Sequence, residues 1–198
     1  MLTIGLTGSF GTGKTTVARM FQKCGAKVLD ADKIAHDLMG RHSRSFKKIL
    51  RSFGPEILTH GQINRKKLGK AVFRDERLLK RLTAILHPEV ILEIKKNIAH
   101  ARKNKPVIVI DAPLLIEAGI HRFSDILIVV KADRSQQLLR LKKRGIPRAE
   151  ALRRIKVQMP LAAKIRMADI VIDNRGNLNQ TKKQVEEIWQ RLLRKKKT

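Results

Sequence analysis

Apolar runs of strand length alternate with helical patterns along most of the chain. The runs are LTIGLT at 2–7, AKVLD at 26–30, PVIVID at 106–111, DILIVV at 125–130 and DIVID at 169–173. After the first run, apolar residues recur at 17, 20, 21 and 24 and stop at Gly25, which predicts a helix. Continuous apolar strands joined by helices are typical of parallel sheets covered on both faces. The pattern therefore predicts a doubly wound α/β fold with a five-stranded parallel sheet.

Two long stretches lack this alternation. From Lys33 to about Ile98 the pattern is helical, broken at FGPE, HGQIN and LHPEV, and no strand run interrupts it. Helical patterns return between Asp133 and Met167, and a final helix begins near Leu178. At 198 residues we expect one domain over 1–198. Its core would span about 1–32, 104–139 and 168–198, with a helical insertion at about 33–103.

The segment GSFGTGKTT, residues 8–16, stands between the first strand and the first helix. A G-x-x-x-x-G-K-T pattern in that place predicts a P-loop that binds a nucleoside triphosphate. The N–H groups from Ser9 to Thr15 would surround a phosphate chain, and the helix N-terminus would add its positive end. Lys14 would reach the outer phosphates and the Thr15 hydroxyl would bind Mg²⁺. A GTPase would need N-K-x-D after a strand, whereas NKPV at 104–107 lacks the Asp and precedes a strand.

Carboxylates follow two of the predicted strands, at the sheet edge where ligands bind in open α/β folds. Asp32 is our candidate for the general base that accepts a proton from an attacking hydroxyl. It is equally suited to cap the helix that begins at Lys33. Asp30 is a metal-side carboxylate or a turn residue. Asp111 is the candidate metal ligand, with a loop cap as the alternative.

The net charge of the chain indicates anionic partners but does not select one of them. The chain has 44 Lys and Arg against 17 Asp and Glu, a net charge of +27, which attracts polyanions such as nucleotides, coenzymes or RNA. No apolar run approaches the ~20 residues of a membrane span, and the N-terminus leads directly into a strand, which predicts a cytoplasmic protein. The single cysteine, Cys24, shares a face with Val17 and Phe21, so we expect a buried, unpaired thiol.

The motifs together resemble the dephospho-coenzyme A kinase family. The matching segments, in order, are GLTGSFGTGKTTVA, VLDADKIAH, ILHPEV, APLLIEAG, QQLLRLKKRG with Gln158, and ADIVIDNRG, which extend the likeness from about Leu2 to Val185. The resemblance implies transfer of the ATP γ-phosphoryl group to the ribose 3'-hydroxyl of dephospho-coenzyme A, the last step of coenzyme A synthesis. It also implies a three-layer α/β/α fold of the P-loop nucleoside triphosphate hydrolase type, with a coenzyme-binding helical insertion and a mobile helical lid at about 140–167.

The same resemblance implies roles for individual residues. Thr7, Lys14, Asp32 and Arg140 are placed in catalysis. His87, Leu114, Leu115 and Glu117, with Asp32, are placed at the acceptor, although His87 would equally cap a helix starting at Pro88. The P-loop motif gives Ser9, Phe10, Gly11, Thr12, Gly13, Lys14, Thr15 and Thr16 as expected nucleotide contacts, and the resemblance adds Arg144 and Asn174. The expected metal ligands, from the motif and the strand end, are Thr15 and Asp111. Asn174 would suit a plain turn equally well.

The predicted lid has a physical rationale. Arginines that close over the phosphoryl group in transfer stabilise its charge and exclude water. Arg140 and Arg144 are four residues apart and would share a helix face, although each could be an ordinary solvated cation. Arg153, Arg154, Lys164 and Arg166 are further candidates that the sequence does not rank. Where the family commonly has GGIGSGKS, this chain has GSFGTGKT, which keeps the hydroxyl at Thr15 and alters packing at Ser9 and Phe10.

Two other functions stay open at this point. Another small-molecule P-loop kinase, such as a nucleoside monophosphate kinase, would share the P-loop, but the DAD and HP segments argue against it. A basic RNA-binding module that uses ATP only structurally would need aromatic residues for base stacking, and the chain has no Tyr and one Trp. We expect weak, salt-sensitive RNA association as a side property, and a monomer or weak oligomer.

Overall fold

The computed structural model describes residues 1–72, 75–101 and 107–195, with the side chain of residue 195 excepted. The predicted boundary near 103, the Pro106 start of the third apolar run and the end of the basic run RKKKT lie outside the described residues. The elements are β1 (Leu2–Gly8), α1 (Lys14–Lys23), β2 (Lys27–Asp30), α2 (Ala31–Asp37), α3 (Arg44–Phe53), β3 (Leu58–Thr59), β4 (Gln62–Ile63), α4 (Arg65–Val72), α5 (Glu76–Ala101), β5 (Val107–Asp111), β6 (Ile126–Lys131), α6 (Arg134–Lys143), α7 (Arg148–Lys156), α8 (Leu161–Met167), β7 (Ile170–Asp173) and α9 (Leu178–Lys195).

The five predicted strands form one parallel sheet, in the order β2-β5-β1-β6-β7. β1 is central and pairs in parallel with β5 and with β6, and β6 pairs with β7. Since β5 and β6 are covered on both faces, their residues are almost all buried. The α/β fold class, the five-stranded sheet and its parallel pairing are confirmed.

The two faces of β1 explain how the core is built. Ile4 and Leu6 pack in one apolar cluster with α1 and α9, including Phe21 and Trp189. On the opposite face, a Cβ added at Gly5 would lie 2.6 Å from the Ser124 hydroxyl and 2.8 Å from Leu115. Alternation along the strand therefore joins the sheet to a helical layer on one side and to the segment after β5 on the other.

The described chain divides into two compact units, residues 1–29 with 100–198 and residues 30–99. The second unit is mainly helical and its buried side chains include Phe46, Ile49, Leu68 and Val90. The predicted limits of the insertion and of the lid stay predictions. No helix of the described residues is both long enough and apolar enough to span a bilayer.

Strands do occur in the second unit, so the expectation of an uninterrupted helical pattern was wrong. Leu58–Thr59 and Gln62–Ile63 form an antiparallel pair. The connecting residues His60 and Gly61 both have positive φ, at 50° and 71°, as a two-residue hairpin turn requires. Two-residue strands are too short to show an alternating pattern, which is why the periodicity did not indicate them.

The expected helix start at Pro88 was also wrong. α5 runs without a break from Glu76 to Ala101, with Pro88 inside it and His87 in helical conformation. Leu86, Val90 and Ile94, which are spaced four residues apart on both sides of Pro88, are all buried. Continuous burial of that face offsets the hydrogen bond that a proline removes. His87 therefore cannot act as the cap of a helix beginning at Pro88.

Cys24 is less buried than expected. It is a free cysteine of intermediate exposure that follows the last residue of α1, packed at the edge of the main apolar cluster. Partial burial raises the pKa of its thiol above the ordinary value, Glu186 adds to that rise, and Lys182 opposes it. The thiol is therefore predominantly protonated at neutral pH.

Candidate active site

The loop between β1 and α1 has the backbone of an anion-binding turn. Gly11 and Gly13 have φ of 86° and 92°, a conformation that L side chains rarely adopt. The first intrahelical hydrogen bond of α1 is donated by Thr16 N to Gly13 O, at 2.9 Å. The N–H groups of Gly13, Lys14 and Thr15 precede that bond, so they have no acceptor within the helix. These donors, at the positive end of the α1 dipole, suit a phosphate.

The Thr12 carbonyl in this loop accepts two hydrogen bonds that hold the loop in place. Asn174 Nδ2 donates to Thr12 O at 2.7 Å, and the Arg140 guanidinium donates to the same oxygen at 3.1 Å. Arg140 also donates to Asn174 O at 2.7 Å, while the Thr181 hydroxyl donates to Asn174 Oδ1 at 2.8 Å. Asn174 thus ties the P-loop to α6, β7 and α9. The sequence placed Asn174 near a nucleotide base, and the structure adds this bracing of the loop.

Replacing Gly13 with alanine is expected to weaken nucleoside triphosphate binding about tenfold and to destabilise the fold by about 1–3 kcal/mol. A Cβ at this position would lie 2.2 Å from Asn174 Nδ2 and would require a strained φ. Calorimetric titration and thermal unfolding measure the two effects. Gly145→Ala is the matched control, because Gly145 has φ of 75° but nothing within 4 Å of the added Cβ. Equal behaviour of the two variants would show that the Asn174 contact is unimportant.

Lys14 and Asp111 form an ion pair. Lys14 begins α1, which follows β1, and Asp111 ends β5, which lies next to β1 in the sheet. The order of the strands therefore brings these two residues together. Asp111 is buried. Asp111 thus has a charged partner in the site, while its roles as metal ligand or loop cap stay predictions. A lysine beside the open N–H groups and a carboxylate beside it are the charges that a nucleotide with a divalent cation needs.

Asp30, rather than Asp32, caps the helix after β2, so the capping alternative for Asp32 was wrong. Asp30 has extended backbone and its carboxylate accepts a hydrogen bond from Lys33 N at 3.0 Å. The helix α2 starts at Ala31, which places Asp32 in its first turn with an exposed side chain. Asp30 therefore caps α2, and Asp32 lies exposed beside that cap.

The segment after β5 contains the residues predicted to contact the acceptor. Leu114 is partly exposed, while Leu115 is fully buried, so only Leu114 offers side-chain surface in this conformation. Glu117 forms an ion pair with Lys164 and accepts a hydrogen bond from Met159 N at 2.8 Å. Thr7, also fully buried, donates its hydroxyl to Pro113 O at 3.3 Å. This segment and the end of β1 are therefore directly linked.

The predicted lid residues separate into two groups. Arg140 reaches the P-loop, whereas Arg144 follows the end of α6 and is exposed. Arg154 lies over the Phe10 ring, 5.2 Å from its centroid, and pairs with Glu150 at 2.6 Å. Phe10 packs beside the apolar cluster of Leu141, Ala151 and Ile155, which explains the aromatic residue in this P-loop.

Sequence reasoning named two residues of the site without assigning their contacts, Gln158 in a matching segment and Lys164 among the unranked lid candidates. The Gln158 side chain accepts hydrogen bonds from Phe10 N at 2.9 Å and from the Ser9 hydroxyl at 3.2 Å. Lys164 is fully buried, which lowers the pKa of its ammonium below the ordinary value, although Glu117 opposes that shift and the charge of Lys14 adds to it. Nothing in the local pattern distinguished Lys164 from the many exposed cations.

Comparison with known proteins agrees with this geometry. The model of the dephospho-CoA kinase family matches residues 2–180. A dephospho-CoA kinase from Carboxydothermus hydrogenoformans is 44% identical over 191 residues, which cover 95% of this chain and 93% of that protein.

Solved structures extend the likeness to the fold. The crystal structure of TT1252 from Thermus thermophilus has a TM-score of 0.81 and 31% identity, covering 96% of this chain and 97% of that one. Dephospho-CoA kinase from Campylobacter jejuni has a TM-score of 0.69 and 25% identity, covering 96% of each chain. With the family model matching most of its length, this P-loop α/β chain belongs to the dephospho-CoA kinase family.

Proposed function

We propose that the protein transfers the γ-phosphoryl group of ATP to the ribose 3'-hydroxyl of dephospho-CoA, which yields coenzyme A in the final step of its biosynthesis. The observation that carries the proposal is the P-loop with its Lys14–Asp111 pair in a chain of this family. The free N–H groups at the start of α1 bind the triphosphate. Lys14 exchanges its partner Asp111 for phosphate oxygens when the nucleotide binds, and there it stabilises the charge that develops during transfer.

Asp32 acts as the general base in this proposal. An exposed carboxylate in the first turn of α2 accepts the proton of the attacking ribose hydroxyl as the oxygen–phosphorus bond forms. His87, Leu114 and Glu117 are proposed to contact or border the acceptor. Arg140 reaches the loop that holds the phosphates, so it acts on the nucleotide side.

The family implies Mg²⁺, and the residues present fit it. Thr15 is an exposed residue near the start of α1 that carries a hydroxyl, and Asp111 supplies a carboxylate at the end of β5. Hard oxygen ligands of this kind suit Mg²⁺, which keeps several water and phosphate ligands. The described residues contain no cluster of three His, Cys, Asp or Glu that could hold a metal without the nucleotide. When bound, Mg²⁺ would neutralise charge on the phosphates.

An acceptor panel tests the proposed function. The purified chain is incubated with MgATP and dephospho-CoA, a set of nucleoside monophosphates, or no acceptor, and products are identified by mass spectrometry. We expect a single added phosphate on the ribose of dephospho-CoA and no transfer without divalent cation. Transfer only to a monophosphate would support the nucleoside monophosphate kinase alternative and contradict our proposal.

Weak association with RNA is a second proposed property. The excess of 27 cations over acidic residues supports it, because such a surface concentrates any polyanion. We expect retention of labelled RNA in a filter-binding assay at low salt and its loss as the salt concentration rises. Absence of retention at low salt would contradict the proposal. The cytoplasmic location and the monomeric or weakly oligomeric state remain predictions of the sequence.

A further inference from the structure

Lys164 is a buried charge whose role the phosphoryl transfer scheme above does not use. It lies on α8 and has no exposed surface. Its ammonium donates to Pro113 O at 2.5 Å, and lies 2.9 Å from Glu117 Oε1 and 3.1 Å from Glu117 Oε2. An ammonium has three N–H donors, and the hydrogen bonds to Pro113 O and Glu117 Oε2 use two of them, while Glu117 Oε1 lies within ion-pair distance. Lys164 therefore bonds to protein acceptors away from solvent, and its position differs from that of an exposed lid cation.

The first contact, with Pro113 O, connects Lys164 to β1. Pro113 O, which accepts from Lys164, also accepts from the Thr7 hydroxyl at 3.3 Å. Thr7 is the next-to-last residue of β1 and directly precedes the P-loop. One carbonyl thus joins α8, the segment after β5 and the strand that begins the nucleotide site.

The second contact, with Glu117, connects Lys164 to Ser9 and Phe10, which we call the tip of the P-loop. Glu117 Oε1 accepts from Met159 N at 2.8 Å, and the adjacent Gln158 side chain accepts from Phe10 N at 2.9 Å and from the Ser9 hydroxyl at 3.2 Å. Ser9 and Thr7 are only two residues apart in the chain. The hydrogen bonds that start from Pro113 O and from Glu117 therefore meet at β1 and the P-loop, and together with the chain they form a closed ring. We call this set of residues, Thr7, Ser9, Phe10, Pro113, Glu117, Gln158, Met159 and Lys164, the P-loop ring.

A charge this deeply buried is not explained by stability. Removing an ammonium from water costs several kcal/mol, and well-packed apolar residues often replace a buried ion pair at no loss of stability. The fixed ammonium bonds Pro113 O and the Glu117 carboxylate at once, which an apolar side chain cannot do. The advantage of lysine at this position is therefore geometric.

We propose that Lys164 is a positioning residue for phosphoryl transfer, which acts through Pro113 O and Glu117 to hold the P-loop tip and residues 112–119 in one fixed arrangement. This inference rests on the proposed function. Loss of the ring would misalign the reacting groups, and a displacement of about 1 Å costs on the order of 100-fold in rate. ATP affinity would change less, because the N–H groups of α1 and Lys14 still bind the phosphates.

The test compares Lys164→Met, Glu117→Gln and the double variant with the wild-type chain. We expect kcat with dephospho-CoA to fall about 10- to 100-fold in each variant, with the Kd for ATP within about threefold of wild type. Since both residues act through one ring, the double variant should lose no more than the worse single variant. Lys183→Met, which removes an exposed cation on α9, is the matched control and should match wild type.

Thermal unfolding separates positioning from stability. If Lys164→Met does not fold, the double variant carries the test, because it leaves neither a buried ammonium without its carboxylate nor a carboxylate without its cation. A folded single or double variant with kcat within about twofold of wild type would overturn the inference, as would losses that multiply in the double variant. If the wild-type chain leaves dephospho-CoA unmodified, the proposed function fails instead. The variants are then compared on whichever acceptor the wild type uses, or on ATP hydrolysis.

Discussion

Replacing Lys14 with alanine is expected to lower kcat/KM for ATP by about 10³-fold and to weaken ATP binding as well. Its ammonium lies at the N-terminus of α1 and is held by the buried carboxylate of Asp111. Without Lys14, the phosphates lose a positive charge in the ground state and in transfer, while Asp111 remains buried without this cation. Both kcat and KM should therefore change, in contrast to a residue that acts only in the chemical step.

Steady-state kinetics and calorimetric titration of ATP measure the Lys14 effect. Lys23→Ala is the control, because Lys23 is an exposed lysine at the other end of the same helix. Thermal unfolding identifies any part of the loss that comes from a weakened fold. If Lys14→Ala bound ATP as tightly as wild type, the assignment of the loop to the triphosphate would be wrong.

Replacing Asp32 with asparagine is expected to reduce kcat by about 10²- to 10⁴-fold and to leave ATP binding nearly unchanged. Asparagine keeps the size of the side chain and removes the basic oxygen. Stability should change by less than about 1 kcal/mol, because Asp30 caps α2 and the Asp32 side chain is exposed near the helix N-terminus. The variant thus tests the proposed role as general base separately from the stability of α2.

Single-turnover kinetics with saturating ATP and acceptor measure the Asp32 effect on the chemical step. Asp37→Asn, at the C-terminal end of the same short helix, is the matched control and should have wild-type kcat. Unchanged turnover in Asp32→Asn would assign the proton transfer to another group.

The fold could be predicted wherever burial acts on a long enough segment. β5 and β6 are covered on both faces, so nearly every residue in them is apolar, and the runs were visible in the sequence. The hairpin of β3 and β4 has two residues in each strand, which leaves no periodicity to detect. At Pro88 the local preference indicated a helix start, and packing of the α5 face overrode it.

In the site, too, a continuous motif could be predicted, whereas contacts between residues far apart in the chain could not. The P-loop is a continuous segment, so the spacing of its glycines, Lys14 and Thr15 was sufficient to locate it. The contacts of Thr12 O come from Arg140 and Asn174, which lie 128 and 162 positions away along the chain. No local pattern carries such pairings. Lys164 is a similar case, because only the folded chain shows that it is buried.

The two hydrogen bonds to Thr12 O also fix the orientation of the peptide group that joins Thr12 to Gly13. A trans peptide unit is planar, so its C=O and N–H point in opposite directions. With Thr12 O held by Arg140 and Asn174, the N–H of Gly13 is turned away from those two residues, and the left-handed φ of Gly13 orients the following units. An incoming anion therefore meets donors already oriented, and its association requires no peptide flip.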